Sequence, residues 1–109
     1  MQEIINASLK NSYTYKDYRN KVSKLLEEGK STGNEQSEAL THYSELNEVR
    51  MNRLDKTIVL TEAVKDQLSK LQSNYIWLVL SEGWCGDAAQ LLPIMNKMAE
   101  FSDNIDFRV

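Results

Sequence analysis

Apolar residues along this chain follow two regimes. Between Tyr13 and Leu71 they recur at three- and four-residue steps, the spacing of a helix face. Tyr15, Tyr18, Val22, Leu25 and Leu26 form the first such stripe. Thr14 is placed to cap its start, with Asp17 three residues on, and Gly29 to cap its end, with Lys30 nearby. Ser31-Thr32-Gly33-Asn34 reads as a connector. A second helix is expected from about Glu35 to Leu54, with Leu40, Tyr43, Leu46, Val49 and Arg50 on one face and Met51 and Leu54 extending it. Asp55-Lys56-Thr57 reads equally as a break or a continuation. A third stripe, Leu60, Val64, Leu68 and Leu71, begins near Thr57 or Thr61 and ends at Ser73-Asn74. Residues Met1 to Ser12 carry no clear pattern and are expected to fray.

The last third follows the other regime. Ile76-Trp77-Leu78-Val79-Leu80 is an unbroken apolar run, β-branched and aromatic, which predicts a strand buried on both faces. Ser81-Glu82-Gly83 breaks the run, and Trp84-Cys85-Gly86-Asp87 follows. A helix starting at Cys85 is then expected, with Leu91, Leu92, Met95, Met98 and Ala99 as its stripe and Phe101 closing it. Pro93 removes one helical N–H and should kink this helix. Ile105, Phe107 and Val109 alternate and predict a second strand. Strand, helix, strand is a βαβ unit, with parallel strands and a right-handed crossover. The expected fold class is therefore α/β, a βαβ unit at residues 74–109 preceded by about three helices in a segment 1–73.

Composition narrows the function classes. The chain has 109 residues, 41% hydrophobic and 27% charged, a balance that suits one globular domain. A net charge of −3 gives no general field for nucleic acid. No apolar run approaches the roughly 20 residues of a membrane span. The opening residues lack a basic region and an apolar core of signal length, so a cytoplasmic location is expected. The single cysteine excludes a disulfide framework within the chain. The single histidine, His42, excludes a His-based metal cluster and reads as a surface or interface residue. There is no Gly-rich nucleotide loop. No cofactor, metal, nucleic acid or membrane partner is expected.

Cys85 is the residue with chemistry. At a helix N-terminus its thiolate would face free backbone N–H groups and the positive end of the dipole. Asp87, in the first turn, stabilises the helix but repels that thiolate. The bland alternative is a plain helix start: a glycine turn, an acidic first turn, then helix formers. Glu82 reads as a proton shuttle near Cys85 or as a solvated loop carboxylate. Arg50, Arg53 and Lys56 fit a solvated face. Trp77 and Tyr13, Tyr15, Tyr18 and Tyr43 are expected in the core and between helices.

The stretch from Asn74 to Phe101 resembles the active-site segment of the thioredoxin family, in which an apolar strand leads into Trp-Cys-Gly-Pro-Cys and a helix kinked by a proline. Trp84-Cys85-Gly86 stands as in that family, and Pro93 follows Cys85 by eight residues. It also resembles a thioredoxin-like subgroup with Trp-Cys-Gly-Asp and a helical N-terminal extension. The resemblance implies Cys85 as nucleophile, Trp84 as a packing wall, Gly86 as the turn, and Asp87 or Glu82 as the proton-handling carboxylate. It also implies partners that are protein thiols or disulfides, or a low-molecular-weight thiol such as glutathione. Three departures matter. The family's second cysteine is Ala88, its following proline is Asp87, and its buried strand acid falls on Val79. With one cysteine, resolution of a mixed disulfide within the chain is impossible, so an external thiol must resolve it. The alternative is a redox-inactive thioredoxin-like binding module. The family's cis-proline loop and last two strands have no counterpart here, so the sheet is expected to be truncated or completed by association, for instance as a homo-oligomer.

Overall fold

The computed structural model describes residues 1–109. Its elements are α1 (Gln2–Lys10), α2 (Tyr15–Glu27), α3 (Glu38–Thr57), α4 (Glu62–Ser69), β1 (Tyr75–Leu78), α5 (Gly86–Phe101) and β2 (Ile105–Arg108). Four helices precede β1 rather than three, because Met1–Ser12, expected to fray, folds as α1. Glu3 in its first turn and Lys10 in its last complement the helix dipole, but no side chain caps its start and none of its residues is buried.

The other N-terminal helices are fixed by side-chain caps, two of them at the expected Thr14 and Thr61, the third at Ser37, so that α3 starts at Glu38 rather than near Glu35. Thr14, Ser37 and Thr61 each accept a bond from the backbone N–H three residues on, at 3.1, 3.1 and 3.2 Å. Thr61, not Thr57, therefore starts α4, and Asp55-Lys56-Thr57 continues α3. At the end of α2 the Gly29 N–H donates to the Leu26 carbonyl and the Lys30 N–H to the Leu25 carbonyl, at 3.0 and 2.8 Å. That wrap needs φ = +73° at Gly29, which a side chain would oppose.

The buried face of α3 is not the one that apolar spacing predicts. Ser44, Asn47 and Met51 are buried, while Tyr43, Leu46 and Val49 are exposed. Ser44 and Asn47 tolerate burial because both are bonded, Ser44 Oγ to the Leu40 carbonyl (2.8 Å) and Asn47 Nδ2 to the Gly83 carbonyl (3.1 Å). Tyr13 and Tyr43 likewise lie at the surface rather than in the core.

β1 and β2 pair in parallel, with Tyr75 opposite Ile105 and Trp77 opposite Phe107. Trp77, Val79, Phe107 and Val109 pack with Tyr15, Tyr18 and Val22 of α2 and with Leu92 of α5, forming the main core. β1 is not buried on both faces as its apolar run suggests: Tyr75 and Ile76 are exposed, and Leu80, beyond the strand end, is 85% exposed. Helices pack closely on one side only. Across a cleft from Leu78 and Leu80 stands α1, which buries nothing of its own. In α5, Ala89, Leu92 and Pro93 are buried, and the helix runs through Pro93 unbroken. Leu91 and Phe101, expected in its stripe, are exposed. The principal partner of α5 is α3.

Two polar devices complete the frame. Between α2 and α3, Arg19 Nη1 meets Asp55 Oδ2 at 2.5 Å, Arg19 Nη2 bonds Asn52, and the Tyr15 hydroxyl donates to Asp55 Oδ1 at 2.8 Å. Burial pushes the Tyr15 phenol well above its ordinary pKa, against the opposing pull of Arg19. At the far side of β2, Tyr13 and Val109 exchange both backbone bonds, at 2.8 and 2.9 Å. There Arg108 also reaches Ser12, Nε to Oγ at 3.0 Å and Nη2 to the carbonyl at 3.1 Å. No helix is long and apolar enough to cross a membrane.

Candidate thiol site

The segment between β1 and α5 turns sharply, and the Cys85 N–H donates to the Glu82 carbonyl at 3.0 Å. That bond closes a turn over Gly83 and Trp84 and delivers Cys85 to the N-cap of α5, where its own carbonyl accepts from the Ala89 N–H at 3.2 Å. The side chain of Cys85 makes no capping bond, so its sulfur is uncommitted, and the residue is half-buried. Sequence spacing places Cys85 at this helix start, and the coordinates agree. Trp84, 38% exposed, stands beside it, and Gly86 and Asp87 open the first turn, both exposed.

A cleft of about 740 Å³ opens in front of the turn. Ile4 and Ala7 of α1 form one wall; Leu78, Leu80, Trp84 and Cys85 form the other. Glu82 is the one charged side chain on its lining. Arg50 approaches the helix start at Gly86. Its Nη1 donates to Asn47 Oδ1 at 3.1 Å and would lie 4.0 Å from a Cβ placed on Gly86. No group of three or more His, Cys, Asp or Glu side chains is assembled anywhere to hold a metal ion.

Glu82 is half-buried on the cleft lining, and its hydrogen bond runs to Thr32 rather than to the thiol. It accepts a short bond from the Thr32 hydroxyl and rests against Gly33, where an added Cβ would come within 3.0 Å of Oε2. Gly33 itself sits at φ = +87°. Thr32 also accepts the Gly83 N–H at 2.8 Å. Behind the turn lies the Tyr18 hydroxyl, 3.3 Å from Ser81 Oγ. Burial pushes the Tyr18 phenol upward, Ser81 lowers it, and negative charge on Glu82 or Cys85 raises it further.

Thr32, Asn47 and Tyr18 are thus the residues that sequence reasoning missed. Tyr18 was legible as a core residue but not as a neighbour of the turn. Asn47 carried a faint signal, a polar residue on the same face as Met51. Thr32 carried none, because its partners lie about fifty residues away in sequence.

A family model described as thioredoxin matches residues 33–109. No curated protein and no solved structure matches the chain. The match takes in the strand, the Trp84-Cys85-Gly86 turn, α5 and β2, and it extends back through α3 and α4. The architecture agrees with it: a small parallel α/β unit of thioredoxin type, with helices before it. Matched over more than half its length, the chain belongs to the thioredoxin family.

Proposed function

We propose that this thioredoxin-family chain works through Cys85 as a single nucleophilic thiol. The observation that carries the reading is the position of Cys85: at the N-cap of a 16-residue helix, side chain unbonded, on the wall of an apolar cleft. In the proposed step the Cys85 thiolate attacks one sulfur of a disulfide in a partner protein or in oxidised glutathione. The new S–S bond forms as the old one breaks, and the departing thiolate takes a proton from solvent. An external thiol then attacks the mixed disulfide, regenerates Cys85 and leaves as the new disulfide partner, because Cys85 is the chain's one cysteine.

Trp84 walls the cleft, Gly86 gives the first turn, and exposed Asp87 is the carboxylate free to handle protons. Glu82 shapes the turn instead, since its carboxylate is bonded to Thr32. Iodoacetamide alkylation at neutral pH tests the reading. Cys85 in the folded chain should react faster than in the urea-unfolded chain, and Cys85→Ser should abolish the reaction. Incubation with oxidised glutathione should add one glutathionyl mass. A thiol no faster than in the unfolded chain favours the alternative, a redox-inactive binding module.

A further inference from the structure

The turn that carries Cys85 is held from outside the strand and helix it joins. Gly83 has two backbone polar groups, and both are bonded to side chains from the helical segment. Its N–H donates to Thr32 Oγ1 at 2.8 Å, and its carbonyl accepts from Asn47 Nδ2 at 3.1 Å. Thr32 and Asn47 are 7% and 2% exposed, so neither bond is exchanged for water. The Thr32 hydroxyl has one proton, which it gives to the Glu82 carboxylate while accepting from Gly83. Its orientation is therefore set at both ends. Gly33, at φ = +87°, lets the connector approach Glu82 closely enough to form that bond.

We propose that Thr32 and Asn47 are positioning residues for Cys85, an inference that rests on the thiol reading above. By holding both sides of Gly83 they fix the turn whose closing bond ends on the Cys85 N–H. The fixed turn keeps Cys85 at the N-cap of α5, at the positive end of the helix dipole. A released turn lets the residue leave that position.

The test uses the full chain in four forms: wild type, Thr32→Val, Thr32→Ser and Asn47→Ala. Valine keeps the shape of threonine and loses both bonds; serine keeps both. In Thr32→Val, Cys85 alkylation by iodoacetamide at neutral pH should slow about threefold or more. Exchange of the Gly83 amide should speed up about tenfold or more. Thr32→Ser should restore both readings to near wild type, which a purely volumetric role would not require. Asn47→Ala frees the Gly83 carbonyl with Thr32 in place, and it should slow alkylation too if Thr32→Val proves unfolded.

A folded Thr32→Val chain that alkylates as fast as wild type, or faster, overturns the proposal. So does failure of serine to rescue. If wild-type Cys85 reacts no faster than in the unfolded chain, the thiol reading fails instead. Gly83 exchange then still decides whether the two side chains hold the turn.

Discussion

α1 and α2 are adjacent in the chain and similar in kind, each short and amphipathic, yet they are held very differently. α2 buries Tyr15, Tyr18, Arg19 and Val22, is capped at both ends and is tied to α3 through Asp55. α1 buries nothing, has no side-chain cap, and leaves Ile4 65% exposed over the cleft. An apolar stripe alone therefore does not bind a helix to a fold. What matters is whether the facing element offers a surface to cover the stripe, and the packed side of the sheet does so only for α2.

That contrast can be broken at its strongest point first. Leu92→Ala removes the α5 side chain against which Tyr15, Tyr18 and Val22 pack, and it should lower unfolding free energy by about 3 kcal/mol in urea titrations. Asp55→Ala leaves the Arg19 guanidinium, already short of a partner at Nε, without its carboxylate. Asp55 keeps about a third of its side chain exposed, so the loss should be smaller, about 2 kcal/mol in the same titration.

Alkaline pH acts on α2 through its tyrosines. Both phenols are raised in the folded chain above the ordinary value of 10.0, chiefly by burial. The folded state therefore favours the protonated phenol. Its contribution is complete below about pH 10 and is lost as pH rises toward the folded-state values, because the unfolded chain ionises first. Thermal unfolding followed between pH 9 and 12 should show this loss, on the order of 1 kcal/mol, and Tyr18→Phe should reduce it. The smallest effect belongs to α1. Ile4→Ser should change stability by less than about 0.5 kcal/mol, since the side chain is already mostly in water. A large loss there would show that α1 is held as firmly as α2, and the contrast would fall.

What could be read in advance was local chemistry. Thr14 and Gly29 bound α2 because a hydroxyl and a missing Cβ act within three residues of themselves. The sequence Ser81-Glu82-Gly83-Trp84-Cys85 had to turn, and α5 had to start at Cys85, for the same reason. What could not be read depended on distant partners. The face of α3 that turns inward is chosen by its packing on α5 and α2 and by the bond to Gly83, so Asn47 and Ser44 displace Tyr43 and Leu46 from the interior. β1 reads as doubly buried from its composition, yet composition does not say how many layers will cover it. The Thr32 hydroxyl finds Glu82 and Gly83 only after α2 and α3 have brought the connector to the turn.

The backbone exchange between Tyr13 and Val109, with Arg108 clasping Ser12, has one more consequence. It occupies the flank of β2 at the end nearest Val109, so the sheet has directional room to grow. By strand alternation Ile76 and Leu78 aim their peptide groups away from β2, along a rim that carries no proline and no charge. A recruited strand, whatever its source, would settle on that rim. Leu78 lines the apolar cleft that Cys85 also borders, so enlarging this sheet and approaching its sulfur would be neighbouring events.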